Sequence, residues 1–163
     1  MRHVELLKND WLFYLGENPP ADLTRWEKVR IPHDWAISRA FDPCNDLQFT
    51  KITQDGESID APHYGRTGGL PHVGYGTYRR RFRVNPAADC HFLEFDGVMS
   101  HSQIYVNGQL AGGRPYGYAS FCVEITPYVK KDADNLLEVT LDNPPLASRW
   151  YPGAGIYRNV RLL

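Results

Sequence analysis

Cysteine is scarce: Cys44, Cys90 and Cys122 are the three in 163 residues. An odd count with no C-x-x-C pair argues against a disulfide framework and against a zinc knuckle. Three free thiols in a reducing compartment are the expected state. No apolar run approaches the roughly 20 residues of a membrane helix. The opening Met1-Arg2-His3-Val4-Glu5-Leu6-Leu7-Lys8 has no apolar signal core. Together these point to the cytoplasm. Neither sign of charge prevails, with 18 Lys and Arg against 19 Asp and Glu and a net of −1. Binders of nucleic acid or of a membrane surface carry a basic excess, so neither is expected as a partner. A helical apolar period over ten or more residues is also missing.

What is present suits strands and tight turns. The chain has 10 Tyr, 7 Phe and 4 Trp, with 14 Gly and 12 Pro. Apolar alternation predicts strands at Trp11 to Leu15, Tyr78 to Val84, His91 to Phe95 and Ser102 to Val106. It recurs at Phe121, Val123 and Ile125, at Leu137, Val139 and Leu141, and at Ile156, Val160 and Leu162. Asn107-Gly108 between apolar residues predicts a two-residue type I′ hairpin, because both accept positive φ. Strands without intervening helices predict an all-β antiparallel sandwich of about eight to ten strands. Its core should include Phe13, Tyr78, Phe82, Leu93, Phe95, Ile104, Val106, Phe121, Val139, Leu141 and Val160. Residues 36–76 hold few regular runs and read as a long, contact-making loop.

Most catalytic constellations fail on spacing. The six His form no H-x-x-x-H pair, and His33-Asp34 beside Pro32 and Trp35 reads as a turn with a hydrogen-bonded His, so no metal is expected. There is no G-x-S-x-G elbow, and Ser100-His101-Ser102 would point to alternate faces of a strand. No Asp or Glu pair has a recognisable glycosidase context. Gly65-Arg66-Thr67-Gly68-Gly69 lacks the strand-loop-helix frame of a phosphate cradle. Arg79, Arg81 and Arg83 give one strand a cationic face, read as an exposed edge or an inter-domain face rather than a nucleic-acid site. The run Ser148-Arg149-Trp150-Tyr151-Pro152-Gly153 remains. Its rings and guanidinium suit either a sugar- or domain-facing surface or a plug in the end of the sandwich.

Six segments in order resemble glycoside hydrolase family 2, the β-galactosidase family. They are Pro32-His33-Asp34-Trp35, Gly76-Thr77-Tyr78-Arg79 to Phe82, and Phe95-Asp96-Gly97-Val98 with Ile104-Tyr105-Val106-Asn107-Gly108. Tyr116-Gly117-Tyr118, Asn135-Leu136-Leu137-Glu138-Val139 and Arg149-Trp150-Tyr151-Pro152-Gly153-Ala154-Gly155-Ile156-Tyr157-Arg158 complete the set. The resemblance implies a jelly-roll β-sandwich, galactose-binding-domain-like, over residues 1–163. It implies the non-catalytic N-terminal sugar-binding domain of a longer retaining glycosidase. An immunoglobulin-like domain and a TIM barrel with both catalytic Glu residues would follow in that parent. The alternative is a free-standing carbohydrate-binding module. A carbohydrate, a β-galactoside or related glycoside, is the expected partner, with no cofactor. No catalytic residue is expected in this segment. Arg149, Trp150, Tyr151, His72 and Tyr75 are the expected substrate-binding or barrel-facing residues. His33, Asp34, Trp35, Asn107 and Gly108 are expected to be structural. The segment before Gly155 carries no acid, which separates the chain from some β-galactosidase relatives.

Overall fold

The computed structural model describes residues 3–64, 69–146 and 153–163. Two antiparallel sheets face each other as a jelly-roll sandwich. One has four strands in the order β1 (Glu5–Leu6), β12 (Val160–Leu162), β7 (Phe92–Phe95) and β10 (Phe121–Glu124). The other has six, in the order β3 (Glu27–Val29), β2 (Trp11–Leu15), β6 (Gly74–Phe82), β11 (Asn135–Asn143), β8 (Ser102–Val106) and β9 (Gln109–Arg114). Alternation sorts each strand into an inner and an outer face. In β11, Asn135, Leu137, Val139, Leu141 and Asn143 are buried, while the residues between them reach solvent. Trp11, Phe13 and Tyr78 from one sheet meet Leu93, Phe95 and Val160 from the other, all at 0% exposure. Each contributes on the order of 1.5–3 kcal/mol by leaving water. Ten of the eleven expected core residues are buried. Phe121 is half-buried, stacked on Phe95 with 5.0 Å between ring centres.

Asn107 (φ 52°) and Gly108 (φ 81°) form the tight turn from β8 to β9, as the Asn-Gly pair predicts. Asn107 does more than turn the chain. Its Nδ2 donates to the Tyr128 carbonyl and to Asn135 Oδ1, both at 2.8 Å, and its Oδ1 accepts the Leu136 N–H at 3.0 Å. The turn is thereby fixed to the start of the central strand β11.

Two expectations are corrected. The stretch 36–76 is not one long loop. It holds a short helix, α1 (Trp35–Ser38), and a ribbon of two eight-residue strands, β4 (Leu47–Gln54) and β5 (Glu57–Tyr64). The ribbon leaves apolar residues exposed on both faces, Phe49 on one and Ile52 with Ile59 on the other, so no half-buried alternation marks it. The strand bearing Arg79 to Arg83 is not an edge. β6 lies between β2 and β11. Arg79 donates to Glu138 at 2.5 Å and stacks over Trp26 at 4.6 Å, and Arg83 donates to Asp134 at 2.6 Å. Arg80 has inward parity and donates to the Asn9 carbonyl at 2.8 Å.

Candidate functional site

One end of the sandwich gathers the start of β6, the end of β11 and α1. The segment His33-Asp34-Trp35 organises it. Asp34 has extended backbone and caps α1, its Oδ1 accepting the Ala36 N–H at 3.0 Å. The same oxygen accepts the Ala154 N–H at 2.9 Å. Backbone bonds from His33 to Ile156 (2.8 Å) and from Trp35 to Ala154 (2.9 Å) complete the join. Trp35 is fully buried and stacks on Phe13 with 5.3 Å between ring centres. Gly76 makes room for it, since a Cβ there would enter the indole.

His33 Nδ1 lies 2.7 Å from the Tyr78 hydroxyl. Burial holds the His33 imidazole below its ordinary pKa, hence neutral, and pushes the Tyr78 phenol well up. A neutral imidazole can accept the phenolic proton, so the pair is a structural hydrogen bond rather than a charged centre. Gly155 (φ 127°) passes closely over this pair. A Cβ there would collide with the His33 carbonyl and stand 2.7 Å from the Tyr78 hydroxyl. His33, Asp34 and Trp35 thus join α1 and β2 to the segment at Ala154 to Ile156.

The other flank of the Arg-Trp-Tyr run is tied as well. Asp46, with 2% exposure, accepts the Leu146 N–H at 2.8 Å through Oδ1. Carboxylates from two places in the N-terminal third therefore hold the chain on both sides of residues 147–152. Arg149, Trp150 and Tyr151 themselves lie outside the described residues.

The structure brings His72 and Tyr75 together. They share a shallow hollow of about 340 Å³ with Leu15, Glu17 and Val73. Tyr75 is 44% exposed. It is the register partner of Asp142 across β6 and β11. The Asp142 charge, joined by Glu17, raises the Tyr75 phenol above its ordinary value. Burial raises the Asp142 carboxyl, with His101 and Tyr75 acting the other way. His101 is held by Ser100, whose Oγ lies 3.0 Å from the imidazole Nδ1 and donates to the Asp142 carbonyl at 2.7 Å. An exposed ring beside carboxylates and imidazoles on a rigid sheet can recognise a hydroxylated ligand. Sequence reasoning missed Glu17 and Asp142. Lone acids carry no motif, and only the β6–β11 register places Asp142 beside Tyr75.

Comparison with known proteins adds a lineage to this geometry. The family model described as "Glycosyl hydrolase 2 galactose-binding domain-like" matches residues 59–151. A beta-galactosidase of Bacteroides ovatus is 40% identical over 161 residues, covering 94% of this chain and 17% of that protein. A beta-glucuronidase of Bacteroides fragilis is 30% identical over 166 residues, covering 97% of this chain and 20% of that protein. The crystal structure of a beta-glycosidase from Bacteroides vulgatus superposes with a TM-score of 0.76 at 29% identity, over 99% of this chain and 20% of that one. The chain thus spans about a fifth or less of the length of these relatives.

Proposed function

Because the chain belongs to glycoside hydrolase family 2, as its N-terminal galactose-binding-like domain, we propose that it serves a β-galactosidase-like parent enzyme by shaping the approach to a catalytic barrel. In this reading His72, Tyr75, Arg149, Trp150 and Tyr151 serve as substrate-binding or barrel-facing residues toward that barrel. An immunoglobulin-like domain and the barrel itself are the partners within the parent, and the barrel supplies both catalytic carboxylates of a retaining mechanism. The segment 1–163 acts as one accessory unit with no hydrolytic activity of its own. Three exposed cysteines, none of them in a disulfide, favour a reducing, cytoplasmic setting.

The double tether carries this reading. Asp46 on Leu146 and Asp34 on Ala154 fix both ends of a run rich in rings and guanidinium, at the end of the sandwich where Tyr75 stands exposed. Fixed ends lower the entropy lost when such a run meets a surface. The test is Trp150→Ala in the full-length enzyme. A fall in kcat/KM with little change in Tm supports the reading. Unfolding of the isolated domain by the same change makes Trp150 a core plug and sinks it. Turnover of a nitrophenyl galactoside by the purified segment, lost on mutating one of its own carboxylates, would also overturn it.

A further inference from the structure

We propose that the stretch following Leu163 in the parent enzyme continues β12 along the start of β7, pairs with Cys90 and closes the hollow there, so that the next domain hangs on a paired strand rather than on a loose linker. This rests on the reading that the chain is the first domain of a longer parent. The Bacteroides ovatus beta-galactosidase has ample chain for it, since this domain covers 17% of that protein.

The ladder points the way. β12 and β7 are antiparallel, with Val160 opposite Phe95, Arg161 opposite Glu94 and Leu162 opposite Leu93. Pairing runs on past the end of β12. The Leu163 N–H donates to the Phe92 carbonyl at 2.9 Å, and the Phe92 N–H donates back to the Leu163 carbonyl at 3.1 Å. Such two-way rungs recur at every second residue of an antiparallel ladder. The next one joins Cys90 to the second residue after Leu163. Between the rungs, His91 turns the other way. Its N–H donates to Thr126 Oγ1 at 2.9 Å, and its carbonyl accepts the Ile125 N–H at 2.8 Å, just past β10. Cys90 therefore faces the β12 side. Among the described residues, neither its N–H nor its carbonyl has a backbone partner.

The same corner holds a hollow of about 440 Å³, lined by His3, Cys90, His91, Phe92, Leu162 and Leu163 among others. His91 is 2% exposed, yet its Nε2 has no hydrogen-bond partner among the described residues. A buried polar atom left unpaired is costly. Burial, with the Lys131 cation, holds this imidazole below its ordinary pKa, hence neutral. The first residue after Leu163 falls opposite His91, with its side chain on the imidazole's face of the sheet. Two extended residues advance about 7 Å, enough to cross Cys90. Pairing them to β7 removes most of the backbone freedom at the exit.

The experiment is native-state hydrogen exchange of the full-length enzyme, read at single residues by mass spectrometry with electron-transfer fragmentation. The Cys90 amide should be protected at least about 100-fold more than that of its exposed neighbour Asp89. The amide of the second residue after Leu163 should be protected to a similar degree, because the two share one rung. A Cys90 amide that exchanges as fast as Asp89 overturns the proposal. Protection at Cys90 without protection at the second residue after Leu163 also overturns it, since another part of the parent then covers the hollow. If the rung is absent while Trp150→Ala still lowers kcat/KM, the proposal fails and the functional reading stands. A native reading frame that stops at Leu163 sinks both.

Discussion

Asp34 and Ala154 are joined across 120 residues by a 2.9 Å hydrogen bond from the Ala154 N–H to the carboxylate that also caps α1. One oxygen thus serves local and long-range order at once. Asp34→Ala should remove both bonds and destabilise the domain by about 1–3 kcal/mol. Asp34→Asn, which keeps an acceptor oxygen, should cost clearly less. Denaturant midpoints of the two variants decide the matter, and equal losses would count against the shared-oxygen account.

The Asn107-Gly108 turn gives a test of backbone strain with little steric complication. Nothing lies within 4 Å of a Cβ built on Gly108, whose φ is 81°. Gly108→Val should therefore cost roughly 1–3 kcal/mol through conformation alone. An unchanged Tm would contradict the type I′ assignment.

Arg161 and Asp96 form a two-pronged pair, at 2.6 and 2.9 Å, with Glu94 at 3.2 Å from the same guanidinium. The Arg161 hydrogen bonds hold the Asp96 carboxyl below its ordinary value. Its contribution to stability is full above the unfolded carboxyl pKa, about 3.9, and is lost as pH falls through the lower folded value. Arg161→Ala should cost about 1 kcal/mol at pH 7 and reduce the acid-side slope of stability. Thermal melts between pH 7 and pH 3 measure it, and parallel pH profiles for variant and wild type would refute it.

His33 predicts a second, higher pH window. Its folded pKa lies below the ordinary imidazole value of 6.5, so the unfolded chain takes up the proton first. The stabilisation is complete above about pH 6.5 and declines as pH falls toward the folded value. His33→Gln, which can still accept from Tyr78, should show a flatter Tm profile between pH 7.5 and pH 5.5. An identical slope in the variant would show that His33 does not titrate there.

Elements with one wet and one dry face were legible in the sequence. Trp11–Leu15 and Ser102–Val106 form strands with the expected bounds because their parity is set by the core. The ribbon β4–β5 was not legible, since neither of its faces is buried and periodicity carries no signal there. Asp55-Gly56 held the available clue. Both residues have positive φ, 52° and 83°, the same pattern as Asn107-Gly108. The site divides in the same way. His72 and Tyr75 were reached through the ring and imidazole content of the 36–76 stretch, whereas Glu17 and Asp142 acquire meaning only from register and proximity. The tethers at Asp34 and Asp46 join segments too far apart in the chain for local pattern to reveal.

The ribbon gives the domain two levels of cooperativity. Among the described residues, β4 and β5 hydrogen-bond as strands to each other and to neither main sheet. Opening the ribbon therefore breaks no rung of the ladders around β11, and its amides can exchange without unfolding of the sandwich. Its root is fixed separately, by Asn45 Nδ2 on the Leu70 carbonyl at 2.8 Å and by Asp46 on Leu146. Length and composition beyond that root are free of the packing constraints on the core. The ribbon can lengthen, shorten or change its surface in descent while the jelly roll beneath it keeps its stability.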